Sequence, residues 1–170
     1  MQINAPYVSL TGGLVPKAAP VAQAGDGTLQ VEADYIDLGG WLNLQRWANA
    51  DFTSRGDIRF DAPPNLAYAN GIERAGLLFS TGNLQFQAAQ IYPPSDDHFV
   101  VDANASGIKD ASGQALSTTV TVLPNGSSTA PLSAGGALLI SADHIEQGGT
   151  LRVPSGTLVL GVSDPVAQAA

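Results

Sequence analysis

Apolar and polar residues alternate along this chain in short bursts, and one burst is written three times. It reads GTLQVEADYI from Gly27 to Ile36, GNLQFQAAQI from Gly82 to Ile91 and GALLISADHI from Gly136 to Ile145. In register, Leu29, Val31, Ala33 and Ile36 match Leu84, Phe86, Ala88 and Ile91, and then Leu138, Ile140, Ala142 and Ile145. The first three apolar positions of each copy have period two, the spacing of a strand with one buried face. Alanine at the third is small enough for a wall to turn there, and the apolar residue three further on opens the next wall. Further partial copies fit the frame: QINAPYV at Gln2 to Val8 aligns with QVEADYI, GDIRFDAP at Gly56 to Pro63 with GNLQFQAA, and GTLVLG closes at Gly156 to Gly161.

Spacings of this order belong to solenoids, in which each unit is sealed only by its neighbours. A hairpin sandwich also alternates, but it uses one strand per unit where these units hold two short strands with a bend between. The expected fold is therefore all-β, a right-handed parallel β-helix with irregular loop or hairpin excursions. Residues 1–170 read as a single β-helical segment, with 92–135 as an irregular insertion that projects as a hairpin. Two other stretches depart from the frame, Trp41 to Ser54 and Pro63 to Gly76. The glycine pairs Gly12-Gly13, Gly39-Gly40 and Gly148-Gly149 each follow a second short strand and read as corners.

Composition narrows the class. Of 170 residues 44% are hydrophobic, too many for a disordered chain, while only 6% are aromatic. Seven Lys and Arg against 15 Asp and Glu give a net charge of −8, which argues against nucleic acid and anionic membranes as partners. There is no cysteine to form a disulfide or ligate a metal. No apolar run reaches the roughly 18 residues of a membrane-spanning helix. MQINAPYVSL lacks the regions of a secretory signal and enters strand-like alternation at once, so a fragment of a longer chain is expected.

Candidate chemistry is sparse. His98 follows Asp96 and Asp97 in a proline-rich loop, and His144 sits in the strand frame as a surface residue; neither has metal-ligand spacing around it. Asp34 and Asp143 share a frame position with Ala89, and Asp37 shares one with Tyr92 and Glu146, the variability of solvated positions. No cofactor, metal or catalytic constellation is expected. Trp41 and Trp47 have two readings: packing of an irregular stretch against the shaft, or an aromatic pair stacking on sugar rings. Together with His98 they are the residues expected at a ligand or partner surface.

The segment ISADHIEQGGTLRVPSGTLVLG, Ile140 to Gly161, resembles filamentous haemagglutinin-like large exoproteins, in which I-x-Q-x-G-x-L-R-A-P-x-G-x-I-x-L recurs. The matching residues are Ile145, Gln147, Gly149, Leu151, Arg152, Pro154, Gly156, Leu158 and Leu160, with Val153 in place of the usual alanine. GNLQFQAAQIYPPSDDHFVVDA, Gly82 to Ala103, is similar to another stretch of that family. The resemblance implies a shaft segment of a Gram-negative exoprotein that is secreted or held at the cell surface, exported with an outer-membrane partner by two-partner secretion. Members act as adhesins or in contact-dependent inhibition, so a host-cell or bacterial receptor or glycan is the expected partner. A carbohydrate-binding or polysaccharide-degrading module and a passive spacer in a toxin-delivery protein are the alternatives. Open coil ends are expected to favour self-association.

Overall fold

The structure, a computed structural model, describes residues 1–13, 22–62, 75–110 and 112–161. Fifteen strands among them form three sheets in which every ladder is parallel. Sheet A stacks β1 (Gln2–Asn4), β3 (Gly27–Ala33), β6 (Trp47–Ser54), β9 (Asn83–Ala88), β12 (Thr119–Pro124) and β14 (His144–Gln147). Sheet B stacks β2 (Tyr7–Thr11), β4 (Tyr35–Gly39), β7 (Asp57–Asp61) and β10 (Gln90–Tyr92). Sheet C stacks β5 (Trp41–Leu44), β8 (Ala75–Ser80), β11 (His98–Ala103), β13 (Ala137–Ser141) and β15 (Thr157–Leu160). The chain visits A, B and C in turn and returns one strand further along: a right-handed parallel β-helix. Parallel pairing in every ladder between these strands excludes the hairpin sandwich.

Alternation becomes burial directly. In β3, Leu29, Val31 and Ala33 point inward and Thr28, Gln30 and Glu32 outward. Each inward residue meets its register partner on the next coil, as in Val31, Phe52 and Phe86 or Ile36, Ile58 and Ile91. The core narrows on four phenylalanines drawn from all three walls. Phe86 stacks on Phe52 at 5.4 Å and meets Phe60 edge-on at 5.5 Å, and Phe60 stacks on Phe99 at 4.7 Å.

The repeats hold, but not all on one wall. Gln2 to Val8 lies over Gln30 to Ile36 as expected, and the Gly27 and Gly82 copies both open sheet A. The Gly136 copy instead opens sheet C, so Val120, not Leu138, lies beside Leu84, and Ile145 belongs to sheet A. Gly56 likewise opens a sheet B strand, not sheet A. Glycine followed by alternation is thus the signature of a wall's start, whichever wall it is. The alanine marks a corner each time, from A to B at Ala33 and Ala88 and from C to A at Ala142.

Residues 92–135, expected as an irregular insertion with a hairpin, supply β11 to sheet C and β12 to sheet A. These strands do not pair with each other; the antiparallel pairing described in this stretch is the short Lys109–Ala115 bridge, where Leu116 N donates to Ile108 O at 3.0 Å. The departures from the frame are shorter, 104–118 and 125–135. Across the second, the chain skips sheet B: Ile91 pairs directly with Leu151 two coils further on, its N–H donating to Thr150 O and its carbonyl accepting from Arg152 N, both at 2.9 Å. Most of the irregular stretch Pro63 to Gly76 lies outside the described residues. Trp41 to Ser54, also expected off the frame, is two shaft strands, β5 and β6, joined at Gln45 and Arg46.

The segment Ile140 to Gly161 builds one whole coil. Ile145 continues the Val120 rung in sheet A, Leu151 makes the sheet B bridge, and Leu158 and Leu160 face in below Leu138 and Ile140. Gln147 closes the first corner with a 2.9 Å bond to Gly149 O. Ser155, at φ 52°, turns the second corner before Gly156.

Candidate functional site

The three walls present different chemistry to solvent. On sheet C the outward residues Leu77, Phe79, Val100, Ala137 and Leu139 are apolar and buried, with Ala22, Trp41 and Val159 packed against them. Trp41 is part of that layer, and its Nε1 is buried without a hydrogen-bond partner. His98 stands on the same outer face, one rung along from the Trp41–Leu77–Val100 row. Trp47 opens β6 on sheet A and packs against the inner core, its ring across Gly27. The tryptophans therefore lie on two different walls, both partly buried.

Sheet A shows solvent a polar ladder: Gln30, Asp51, Gln85, Thr121 and Glu146 form one rung, and Thr28, Asn49, Asn83, Thr119 and His144 another. Asn83 links the latter, donating to Asn49 Oδ1 at 3.2 Å and accepting from Thr119 N at 2.9 Å. A small cleft of about 190 Å³ opens beside it, lined by Asn49, Thr81, Asn83, Leu116 and Ser117 among others.

Sheet B carries the densest cluster. Ser9, Asp37, Arg59 and Tyr92 form one outward rung, and Tyr7, Tyr35, Asp57 and Gln90 the next. Parallel strands put every second side chain on the same face about 4.8 Å from its neighbour, close enough for direct bonds between coils. Asp37, only 6% exposed, accepts from Arg59 Nε at 2.7 Å, from Arg59 Nη2 and from Tyr7 OH at 2.6 Å. The Asp37 carboxylate holds the Arg59 guanidinium more firmly protonated than usual and, as hydrogen-bond partner, raises the Tyr7 phenol. Burial, then the nearby Asp57 carboxylate, raise Tyr92. Asp37 is thus a buried ion-pair member, not the solvated position expected. Of its two frame partners, Tyr92 shares its rung and Glu146 lies on another wall.

The skipped stretch of coil closes one end of this face. Gln90, 2% exposed, donates from Nε2 to Asp57 Oδ2 and to Thr129 O, both at 3.0 Å. Ser133 Oγ donates to Pro93 O at 2.7 Å and Asp96 N to Ala134 O at 3.0 Å. Between these ties Leu132 is fully exposed.

Of the other acids, Asp34 pairs with Arg55 at 2.7 Å and Asp143 caps the amide of Thr118 at 2.8 Å. Among the described residues no group of three or more His, Asp or Glu is placed to hold a metal. Tyr7, Tyr35, Asp37, Arg59 and Tyr92 escaped sequence reasoning as a group, because the frame aligns coils only where both copies are recognisable and Arg59 sits in the copy assigned to another wall. No family model, curated protein or solved structure matches this chain.

Proposed function

We propose that this repetitive β-helical module is a non-enzymatic shaft segment of a secreted or cell-surface exoprotein of the filamentous haemagglutinin type, making or supporting contact with another cell. The observation that carries the reading is the division of labour between walls. A continuous core and a sealed outer layer on sheet C give a stiff rod, leaving sheets A and B to meet a partner. Asp37, the buried carboxylate of the sheet B cluster, is saturated by Arg59 and Tyr7, which favours binding over acid–base chemistry on that face. The last-coil motif supports export with an outer-membrane partner.

The test is binding of the purified, labelled chain to bacterial and mammalian cells, with its mass in solution measured in parallel. Saturable binding to one cell type is the expected result. A folded chain that binds neither makes the segment a passive spacer, and one that turns over polysaccharide overturns the non-enzymatic reading.

A further inference from the structure

The outer face of sheet B holds two tyrosines that are exposed and yet held in place. Tyr7 is 54% and Tyr35 56% exposed, and they are register partners on adjacent coils. Exposed side chains ordinarily keep their rotamer freedom, and binding must then remove it. Here that freedom is already curtailed. Tyr7 is tied through its hydroxyl to Asp37. Tyr35 lies against Gly56, where a Cβ would come within 2.5 Å of its ring, so only glycine leaves the room the ring occupies.

Around the two rings stand groups suited to hydroxyls. Asp57 is an acceptor, and Arg59, its side chain 45% exposed, carries donors beyond the two that Asp37 takes. Buried Gln90 spends its amide N–H groups on Asp57 and Thr129 and leaves Oε1 without a partner, an acceptor that a hydroxyl entering beside Thr129 would satisfy. The segment 127–133 forms a wall at this end, and Leu132 offers an apolar tip there. Four strands about 4.8 Å apart make a floor about 15 Å long, room for about three pyranose rings.

We infer that this face is a binding site for a neutral oligosaccharide lying along the shaft axis, with the apolar faces of its rings on Tyr7 and Tyr35 and its hydroxyls bonded to Asp57 and Arg59. Aromatic rings with a polar handle suit a ligand that is apolar on one face and hydroxylated at its edge. Charge selects against acidic sugars: Asp37, Asp57 and Asp61 on this face outnumber Arg59, in a chain of net charge −8. The inference rests on the adhesive reading above and names its ligand class.

The experiment is calorimetric titration of the folded chain with neutral tetrasaccharides of glucose, mannose, galactose and N-acetylglucosamine, and with tetragalacturonate as the acidic probe. At least one neutral probe should bind, Tyr35→Ala should weaken it about tenfold or more, and Tyr35→Phe should stay within about threefold. Gln85→Ala, on sheet A, should bind as the parent does, and circular dichroism checks that each variant keeps its β structure. No neutral binding, a preference for tetragalacturonate, or binding indifferent to Tyr35→Ala overturns the site. Cell binding by the same variants separates the two readings. Cell binding that survives loss of Tyr35 leaves the adhesive role standing without this site, and oligosaccharide binding without cell binding leaves the site without the adhesive role.

Discussion

Arg59 and Asp37 are register partners on adjacent coils, and the guanidinium meets the carboxylate with two nitrogens, Nε lying 2.7 Å from Oδ1. Asp37 is almost wholly buried while the Arg59 side chain is 45% exposed, so the two truncations are unequal. Arg59→Ala strands a buried carboxylate and should cost about 1–3 kcal/mol, below a fully buried pair because solvent screens the outer half of Arg59. Urea denaturation of the parent and variant measures it, and unchanged stability would show the pair to be idle.

The same carboxylate sets an alkaline signature. Tyr7 donates to Asp37, and Tyr92 is partly buried and then faces Asp57, so both phenols ionise above the ordinary tyrosine value. A raised pKa makes the contribution to stability complete below the ordinary value and lost as pH climbs through the folded one. Ultraviolet titration of the native chain should show late-ionising tyrosine, and Tyr7→Phe should remove part of that late absorbance. A titration of Tyr7→Phe that overlays the parent's would contradict the assignment.

Phe86 joins walls A, B and C through Phe52, Phe60 and, beyond it, Phe99. Phe86→Ala opens a cavity where three walls converge and should cost about 3–5 kcal/mol. Thermal melting should show the loss spread over the whole transition, because neighbouring coils share the stack.

Corner glycines divide by what lies over them. A Cβ on Gly82 would stand 2.2 Å from Trp47 O and 2.4 Å from Ala48 O on the preceding coil, whereas one on Gly13 meets none of the described residues within 4 Å. Gly82→Ala should therefore cost about 2 kcal/mol or more through forced separation of coils, and Gly13→Ala less than about 0.5 kcal/mol. Equal melting temperatures for the two variants would refute this account of the corner.

In the 104–118 loop, Asp110 Oδ1 accepts from Ser112 N, Ser112 Oγ and Gln114 N at 2.8, 2.6 and 2.9 Å. These bonds, Ser112 foremost, hold its carboxyl below the usual range. A depressed carboxyl stabilises the turn above the ordinary aspartate value and ceases to as pH falls through the folded one. Amide shifts of Ser112 and Gln114 should thus hold steady through mildly acidic pH and move only below it. Asp110→Ala should remove that transition and leave global stability near the parent's.

Much of the shaft was legible because it depends on local rules. Alternation at Leu29, Val31 and Ala33 specifies an inward face, and alanine or glycine specifies where a wall bends. The copy at Gly136 shows the limit. Its pattern satisfies sheet C as well as sheet A, since a parallel β-helix asks the same alternation of every wall and only coil length decides which wall a strand reaches. Loops of unequal size, at 104–118 and 125–135, change that length without disturbing the pattern.

The sequence by itself determined the class of fold, the corners and the acidic net charge, because period, small residues and charge are properties of neighbours along the chain. The tertiary structure alone decided that Trp41 and Trp47 part company across two walls, and that Tyr7, Asp37, Arg59 and Tyr92 meet on one. Stacking brings residues a full coil apart within hydrogen-bond reach, and the length of each coil is set by loops whose sequences carry no periodic signal.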